Sequence, residues 1–347
     1  MERMTKGVSD LSATPGSGGF ARFAVLACFS VAITACTPLR DFFIPVPGVP
    51  EWAAFVAEVR KFEQRIGFEA TDNFLDFSAE REAFPFCGHA SRLVLPYSYE
   101  DPRIRWRNSD TADDCRTLAA GGDMYFGKVE AIGEAGTPVT PAMMGSKVDR
   151  FLYLVIHEDC HDQFELPHGI EEALCSLITY KAMAQFSDER FGTEAREDRA
   201  IRRYTSLESE RTRATIDHYE QMEMLYARYD RKELSEDALM RERGRILGRA
   251  TRALAWKQGP LNNVGLASHM TYSRHYPFLE TVFDALDGDL ARTVAFFRRV
   301  DRIKPTRAAV MRQYRMATEE SAEFIRVYEA AVIETISKVL AETPRRH

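Results

Sequence analysis

Two histidines and a glutamate with the spacing of a metallohydrolase lie in the middle of the chain. Residues 157–161 read His-Glu-Asp-Cys-His, and histidines four residues apart project from the same face of a helix. His157 and His161 can therefore reach one ion, and zinc accepts such ligands in sites that keep one position for water. Glu158 is placed to take a proton from that water. The pattern predicts the site of a zinc-dependent hydrolase.

The apolar residues before this motif argue against a chance match. Residues 151–156 read Phe-Leu-Tyr-Leu-Val-Ile, which is apolar on nearly every side of a helix and predicts burial. Burying His157, Glu158 and His161 costs free energy unless something pairs with them, and a metal ion does so. The alternative is a core helix whose two histidines are satisfied by other side chains.

A second helix is expected to supply the third ligand. Pro167 and Gly169 end the first helix, and the next helix has Glu171 and Glu172 in its first turn, where the helix dipole favours acidic residues. A short loop makes the two helices antiparallel neighbours, so that a glutamate can face the histidines. One zinc ion would then keep its fourth position open. Spacing leaves both glutamates possible, with Glu172 preferred because the small Ala173 follows it; for both, the alternative is surface charge.

A third polar cluster follows a Gly-Pro break late in the chain. Residues 261–278 combine Asn, His, Tyr and Arg within an apolar frame. Metallopeptidase chemistry needs a donor besides the metal for the oxyanion of the tetrahedral intermediate. The candidate donors are Tyr272, His275 and Tyr276, and the two tyrosines are four apart on one predicted helical face. The alternative is that these tyrosines are packing residues with a hydroxyl in water.

The N-terminal residues predict export and a lipid anchor. Residues 23–35 form an apolar run that is too short to span a membrane but fits a signal-peptide core. Small residues followed by Cys36 resemble a bacterial lipobox, which implies cleavage before Cys36 and lipid attachment to it. We therefore expect a signal peptide over 1–35, a proline-rich tether over 36–50, and a location in the bacterial envelope, on the periplasmic side of a membrane. The alternatives are an ordinary secretory signal or a buried apolar helix.

The six cysteines of the chain agree with export. The first would be removed with the signal peptide and Cys36 would carry lipid, which leaves four in a compartment where disulfides persist. Cys87 is expected to pair with Cys115, since both lie in the loop-rich N-terminal part. Cys160 and Cys175 fall on the two helices of the predicted zinc site and could join them. The alternative for the second pair is two reduced core thiols.

Composition and patterning predict one mainly α (α+β) domain over residues 51–347. A hydrophobic content of 45% suits a globular fold, and a net charge of −6 without a basic domain leaves nucleic-acid binding unsupported. We expect an α/β part with a small sheet over 51–144 and a helical part over 145–347. An edge strand of the sheet could bind an extended peptide.

Local patterns place the individual elements. Apolar residues at helical spacing predict a helix over 51–67, and strands are expected at 93–95 and 124–132. Long helices with interleaved Arg and Glu are predicted over 193–229 and 235–258. These helices fit solvated arms with pairs of opposite charge one turn apart better than an interaction surface.

Three parts of the chain together resemble the predicted zinc aminopeptidases of bacteria that carry a lipoprotein signal. That family has an apolar pair before H-E-x-x-H, a nearby N-E with small residues after it, and a later Asn pair with Tyr before Pro and a Gly-Asp-Leu. Glu171 stands here where the family usually has Asn, and residues 124–144 match the family's aromatic-rich segment poorly. The matching parts are the lipobox ending at Cys36, VIHEDCHDQF followed by GIEEALCSLI, and residues 261–300 with Asn262-Asn263, Leu266, Tyr272, Pro277 and Gly288-Asp289-Leu290.

The resemblance implies a gluzincin-like site on a zincin-like fold. His157, His161 and Glu172 would hold one zinc ion, Glu158 would be the catalytic base, and peptides would be the substrates. We therefore expect a lipid-anchored, aminopeptidase-like zinc peptidase. The alternatives are a zinc endopeptidase that acts on envelope proteins, or a catalytically silent lipoprotein that serves as an interaction module.

Overall fold

The structure is a computed structural model that describes residues 49–79, 83–107, 109, 111–133, 136–193 and 195–344. These residues belong to one unit of the chain. The predicted signal peptide, Cys36 and nearly all of the predicted tether lie outside the described residues. Among the described helices, none combines the length and the apolar character needed to cross a membrane.

The described residues form a mainly helical protein with one small antiparallel sheet, as predicted. The strands are β1 (Phe84–Ala90), β2 (Arg105–Arg107) and β3 (Asp123–Val129). The helices are α1 (Val49–Arg65), α2 (Ala112–Ala119), α3 (Pro141–Met144), α4 (Val148–His161), α5 (His168–Phe191), α6 (Arg196–Asp230), α7 (Glu236–Ala253), α8 (Asn263–Ser273), α9 (Tyr276–Ala285), α10 (Leu290–Ile303), α11 (Arg307–Tyr314) and α12 (Ala322–Glu342).

Most of the predicted elements are present, with ends that differ by one to five residues. The predicted strand at 93–95 is wrong, because the strand lies at Phe84–Ala90 instead. Side chains, rather than a neighbouring strand, take the carbonyl groups of this segment. Asn263 Nδ2 donates to the Val94 carbonyl at 2.7 Å, and Arg103 donates to the Leu95 carbonyl at 3.2 Å.

The sheet has the strand order β2-β1-β3 and carries aromatic rings on one face. Gly88 lies opposite both Trp106 and Tyr125, and Phe86 lies opposite Gly127, so these residues share that face. A Cβ on Gly88 would lie 2.6 Å from the Trp106 ring, and one on Gly127 would lie 2.3 Å from the Phe86 ring. The two glycines therefore allow both rings to lie flat over the strands.

Helices α4 and α5 pack against each other at the centre of the helical part. Every residue of α4 from Phe151 to Cys160 is buried, as its apolar sequence predicts. Phe151 contacts Phe55 of α1, and Phe55 contacts Phe186 of α5. The α5 helix also contacts α6, α8, α9 and α10. This surrounding core fixes the rotation of both helices about their axes, which decides which side chains face each other.

Candidate metal centre

Three metal-binding side chains converge where α4 meets the first turn of α5. The Nε2 atoms of His157 and His161 lie 3.3 Å apart. Glu172 Oε2 lies 3.1 Å from His157 Nε2 and 3.4 Å from His161 Nε2. All three ligand atoms are within 4.8 Å of one another, so this cluster could hold a metal ion.

The chemistry of the three donors fits a cation. Burial raises the pKa of Glu172, but its hydrogen bonds to His157 and His161 outweigh burial and hold that pKa well below the ordinary value. The carboxylate is therefore anionic, although it is only 6% exposed. Burial lowers the pKa of His161, but its hydrogen bonds to Glu171 and Glu172 outweigh burial and hold that pKa well above the ordinary value. A buried carboxylate beside two imidazoles is stabilised by positive charge, which a protonated His161 or a bound cation can supply. Two histidines and a glutamate are the ligand set of many catalytic zinc sites.

The structure separates the two glutamates that sequence spacing left open. Glu172 faces the histidines, whereas Glu171 accepts from His161 Nδ1 at 2.9 Å and from the Leu166 backbone N–H at 2.8 Å. His161 Nδ1 donates to the Glu171 carboxylate, so Nε2 is the ring nitrogen that faces the cluster. Glu171 thus orients a histidine of the cluster that could hold a metal ion.

His157 is oriented by packing. Its Nδ1 is buried and has no hydrogen-bond partner among the described residues. Its ring stacks on Tyr153, with centroids 4.8 Å apart and an angle of 17° between planes, and Tyr272 lies 6.3 Å away. The two histidines are therefore held by different means, one by a carboxylate and the other by aromatic contact.

Glu158 lies beside the cluster with the properties of an acid–base group. Burial raises its pKa and the neighbouring Glu172 adds to the rise, while His157 and His161 oppose it, and the pKa is raised overall. The segment after β3 passes close by, since a Cβ on Gly133 would lie 2.8 Å from Glu158 Oε2. A carboxyl group with a raised pKa suits proton transfer near neutral pH.

The cluster opens into a cavity of about 970 Å³ between the aromatic face of the sheet and helices α4, α5, α6 and α8. A cavity of this size can enclose several side chains of a bound peptide. The residues after β3 and the start of α5 form its remaining edges. Its walls include Phe86, Tyr99, Trp106, Tyr125, Arg150, Tyr153, His168, Tyr180, Tyr204, Glu208, Arg211, His269 and Tyr272.

Of the three predicted oxyanion donors, the structure brings Tyr272 to the cavity. Tyr276 is 1% exposed, and its hydroxyl lies 3.1 Å from Ser209 Oγ. His275 Nε2 lies 2.9 Å from the buried Glu329 carboxylate. The expectation that Tyr272 and Tyr276 share a helical face is wrong, because α8 ends at Ser273 and α9 begins at Tyr276.

His168 is a cavity residue that the sequence analysis missed. Its Nε2 lies 3.5 Å from Glu172 Oε1, the carboxylate oxygen that does not face the histidine pair, and its ring packs 5.3 Å from Tyr99. The spacing of the sequence could have indicated this residue. His168 precedes Glu172 by four residues at the start of a helix, and side chains four apart on a helix are neighbours.

Both predicted disulfides are present, and one of them joins the two helices of the cluster. Cys160 of α4 is bonded to Cys175 of α5, and Cys87 of β1 is bonded to Cys115 of α2. The first bond connects the helix that carries both histidines with the helix that carries Glu172. It therefore restrains the spacing between the ligands.

Comparison with known proteins assigns the chain to a family. A family model described as "Putative aminopeptidase" matches residues 108–314, which is more than half of the chain. The matched range contains α4, α5 and all three donor residues. No curated protein and no solved structure matches the chain.

Proposed function

The chain belongs to the family described as "Putative aminopeptidase", and on that premise we propose that it is a zinc-dependent peptidase that acts as an aminopeptidase. The convergence of His157, His161 and Glu172 beside Glu158, at the base of a peptide-sized cavity, carries this proposal. Family membership supports peptide hydrolysis in general. The zinc ion and cleavage at the amino end of the substrate are the finer parts of the proposal.

The side chains have distinct tasks in the proposed mechanism. When bound by His157, His161 and Glu172, zinc would acidify water and polarise a carbonyl group. Glu158 takes the proton from the attacking water and later delivers it to the leaving amine. The Tyr272 hydroxyl donates a hydrogen bond to the oxyanion. Desolvation and the nearby Glu172 raise the pKa of Tyr272, so this hydroxyl stays protonated.

The zincin-like fold and the exported location are parts of the same proposal. The β3 strand lies at an edge of the described sheet, and the residues after it reach Glu158, so an extended peptide could pair with this edge beside the cluster. Two disulfides favour an oxidising compartment. Lipid attachment to Cys36 would then hold the enzyme at a membrane of the bacterial envelope.

A zinc endopeptidase is the second candidate. An aminopeptidase needs a group that binds the free amine of its substrate. Among the described residues that line the cavity, Glu208 is the acidic residue outside the metal centre. Its carboxylate is paired with Arg211 and is therefore less available to the free amine of a substrate. This pairing favours an endopeptidase, which binds the peptide chain on both sides of the scissile bond.

Metal analysis and a pair of substrates test the proposal. We expect about one zinc per chain, loss of activity with a chelator, and recovery when zinc is returned. We expect His157→Ala to lose metal and activity, while His218→Ala, a histidine of α6 that does not line the cavity, retains both. Faster cleavage of free-amine than of N-acetylated peptides would support the aminopeptidase, and equal cleavage the endopeptidase. Purified protein without metal and without peptide hydrolysis would overturn both.

A further inference from the structure

Aromatic rings form a continuous wall along the sheet side of the cavity. Phe86 and Trp106 have ring centroids 5.8 Å apart, and Phe86 and Tyr125 have centroids 5.4 Å apart. Tyr99 extends the row, with its ring 4.7 Å from Trp106. We call Phe86, Tyr99, Trp106 and Tyr125 the aromatic wall. All four line the cavity that contains the metal centre.

Part of this aromatic surface remains open, although Tyr125 is buried. Tyr99 is 40% exposed, Phe86 and Trp106 are half-buried, and Tyr272 near the cluster is 39% exposed. Apolar surface in contact with water is unfavourable, and a ligand that covers it recovers free energy in proportion to the covered area. The opposite side of the cavity carries polar side chains of α4, α5 and α6, so an apolar group of a ligand would be recognised on the aromatic side.

Close contact with the strands fixes the positions of two rings of the aromatic wall. A Cβ on Gly88 or Gly127 would overlap the rings of Trp106 and Phe86, so both rings lie against bare backbone. Trp106 Nε1 donates to the Tyr99 carbonyl at 3.1 Å, which holds the indole in its orientation. The rings therefore leave space above them that a side chain can enter.

The helical side of the cavity adds aromatic rings and paired charges. Tyr153 lies 5.8 Å from Tyr180 and stacks on His157. Arg150 donates to Glu130 at 2.8 Å, and Arg211 is paired with Glu208. These arginines are thus already neutralised, whereas an apolar side chain finds aromatic surface on two sides.

From these features we infer that the site selects peptides with a large apolar, above all aromatic, side chain next to the scissile bond, and that the aromatic wall receives that side chain. The inference rests on the proposed peptidase function and deepens it, since it names the substrate class. Arg107 is exposed and lines the same cavity. Its positive charge could instead favour a substrate with an acidic side chain, and this competing preference is tested with the same peptides.

A panel of matched peptides tests the inference on the zinc-loaded wild-type protein. The panel varies the residue on either side of the scissile bond among Phe, Leu, Ala, Lys and Glu, and kcat/KM is measured for each. We expect Phe to exceed Ala by at least about 10-fold, as hydrophobic pockets discriminate, with Lys and Glu below Ala. Phenylalanine hydroxamate should also inhibit more strongly than alanine hydroxamate, which requires no variant.

Trp106→Ala locates the preference. It should lower kcat/KM for the Phe peptide by about 10-fold and for the Ala peptide by less than about 2-fold, and Trp106→Phe should restore most of the loss. Tyr314→Ala, an exposed tyrosine of α11 outside the cavity, is the control. Failure to cleave any peptide sinks the proposed function. Cleavage with Ala, Lys or Glu equal to or above Phe, or equal inhibition by the two hydroxamates, overturns this inference alone.

Discussion

Helix α4 buries acidic residues on two sides: Glu158 beside the cavity, and Asp159 on the side that packs against α1 and the loop that follows it. On the second side, Asp159 Oδ1 accepts from Thr71 Oγ1 at 2.5 Å and from Asn73 Nδ2 at 3.2 Å. Thr137 donates its backbone N–H to Asn73 Oδ1 at 3.2 Å. Hydroxyl and amide groups of the chain therefore satisfy Asp159.

The two sides differ in what their polar atoms face. We call the Asp159 side the closed side, because donors of the chain and the neighbouring Glu63 carboxyl surround Asp159 there. At the cavity side, two imidazole nitrogens and a carboxylate oxygen face one another, and they could hold a cation. The two sides therefore differ in which groups converge, since only the cavity side brings together side chains of the kind that bind metal ions. The following predictions test this distinction, from the largest expected effect to the smallest.

Glu158→Gln should remove activity and leave the protein otherwise intact. Loss of a general base lowers kcat by about 10²- to 10⁴-fold, while the amide keeps the size of the side chain. Peptide hydrolysis, zinc content and thermal unfolding would be measured together. Asp159→Asn, at the adjacent position on the closed side, should instead lower the stability of the protein and leave kcat of the folded protein nearly unchanged. Full activity of Glu158→Gln with zinc bound would disprove the mechanism.

Replacement of Cys160 and Cys175 by Ala should lower the free energy of unfolding by about 3 kcal/mol. The two cysteines are 15 residues apart, and this value is the chain-entropy contribution of a disulfide that closes a loop of that length. It should also weaken metal binding, because the two ligand-bearing helices lose their covalent link. The matched variant replaces Cys87 and Cys115, which should cost similar stability with unchanged metal affinity. Urea unfolding and zinc competition with a chromophoric chelator distinguish these outcomes. Equal metal affinity in both double variants would contradict the prediction.

Glu171→Gln should weaken metal binding by about 10- to 100-fold, the usual effect of losing the partner of a metal-binding histidine. The expected cause is that an amide can no longer hold His161 by an ionic hydrogen bond. Chelator competition measures the loss, and Glu165→Gln, an exposed glutamate of the preceding loop, is the control. If both variants bind zinc as tightly as wild type, Glu171 has no positioning role.

Glu63→Gln should stabilise the protein at neutral pH by about 1 kcal/mol, the scale of one hydrogen bond. Burial and the neighbouring Asp159 raise the pKa of Glu63, so the folded state favours its protonated form. The contribution of Glu63 to stability is therefore full below its unfolded pKa and is lost as pH rises through the folded value. Gln needs no proton, so its advantage should be absent in acid and should grow as pH rises from the unfolded pKa towards the folded one. Urea unfolding at several pH values measures this advantage, and an advantage that is equal at all pH values would show that protonation of Glu63 is not its cause.

Local sequence was sufficient for the core of the site. The turn of a helix fixes which residues are neighbours, so His157 and His161 could be paired from spacing alone. The choice between Glu171 and Glu172 could not be made in that way, because adjacent helical residues differ by about 100° in direction. Only the packing of α5 against its neighbours decides which of them faces α4.

Contacts between distant segments were beyond sequence reasoning. Asn73 meets Asp159 across 86 residues, and no local pattern indicates such a pair. The strand predicted at 93–95 failed because its carbonyl groups bond side chains from elsewhere in the chain, including Asn263. The aromatic wall gave a weak signal, since Phe86 and Tyr125 lie in short segments broken by glycine, and only strand register shows that they share a face.

The bond between Cys160 and Cys175 also has a consequence for the order in which the protein matures. The bond closes a loop that contains His161, Glu171 and Glu172. A chain that is oxidised before it meets a metal ion has already closed this loop, whereas a reduced chain must close it when the ion binds. We therefore expect the order of oxidation and metal uptake to change how readily the ion is bound.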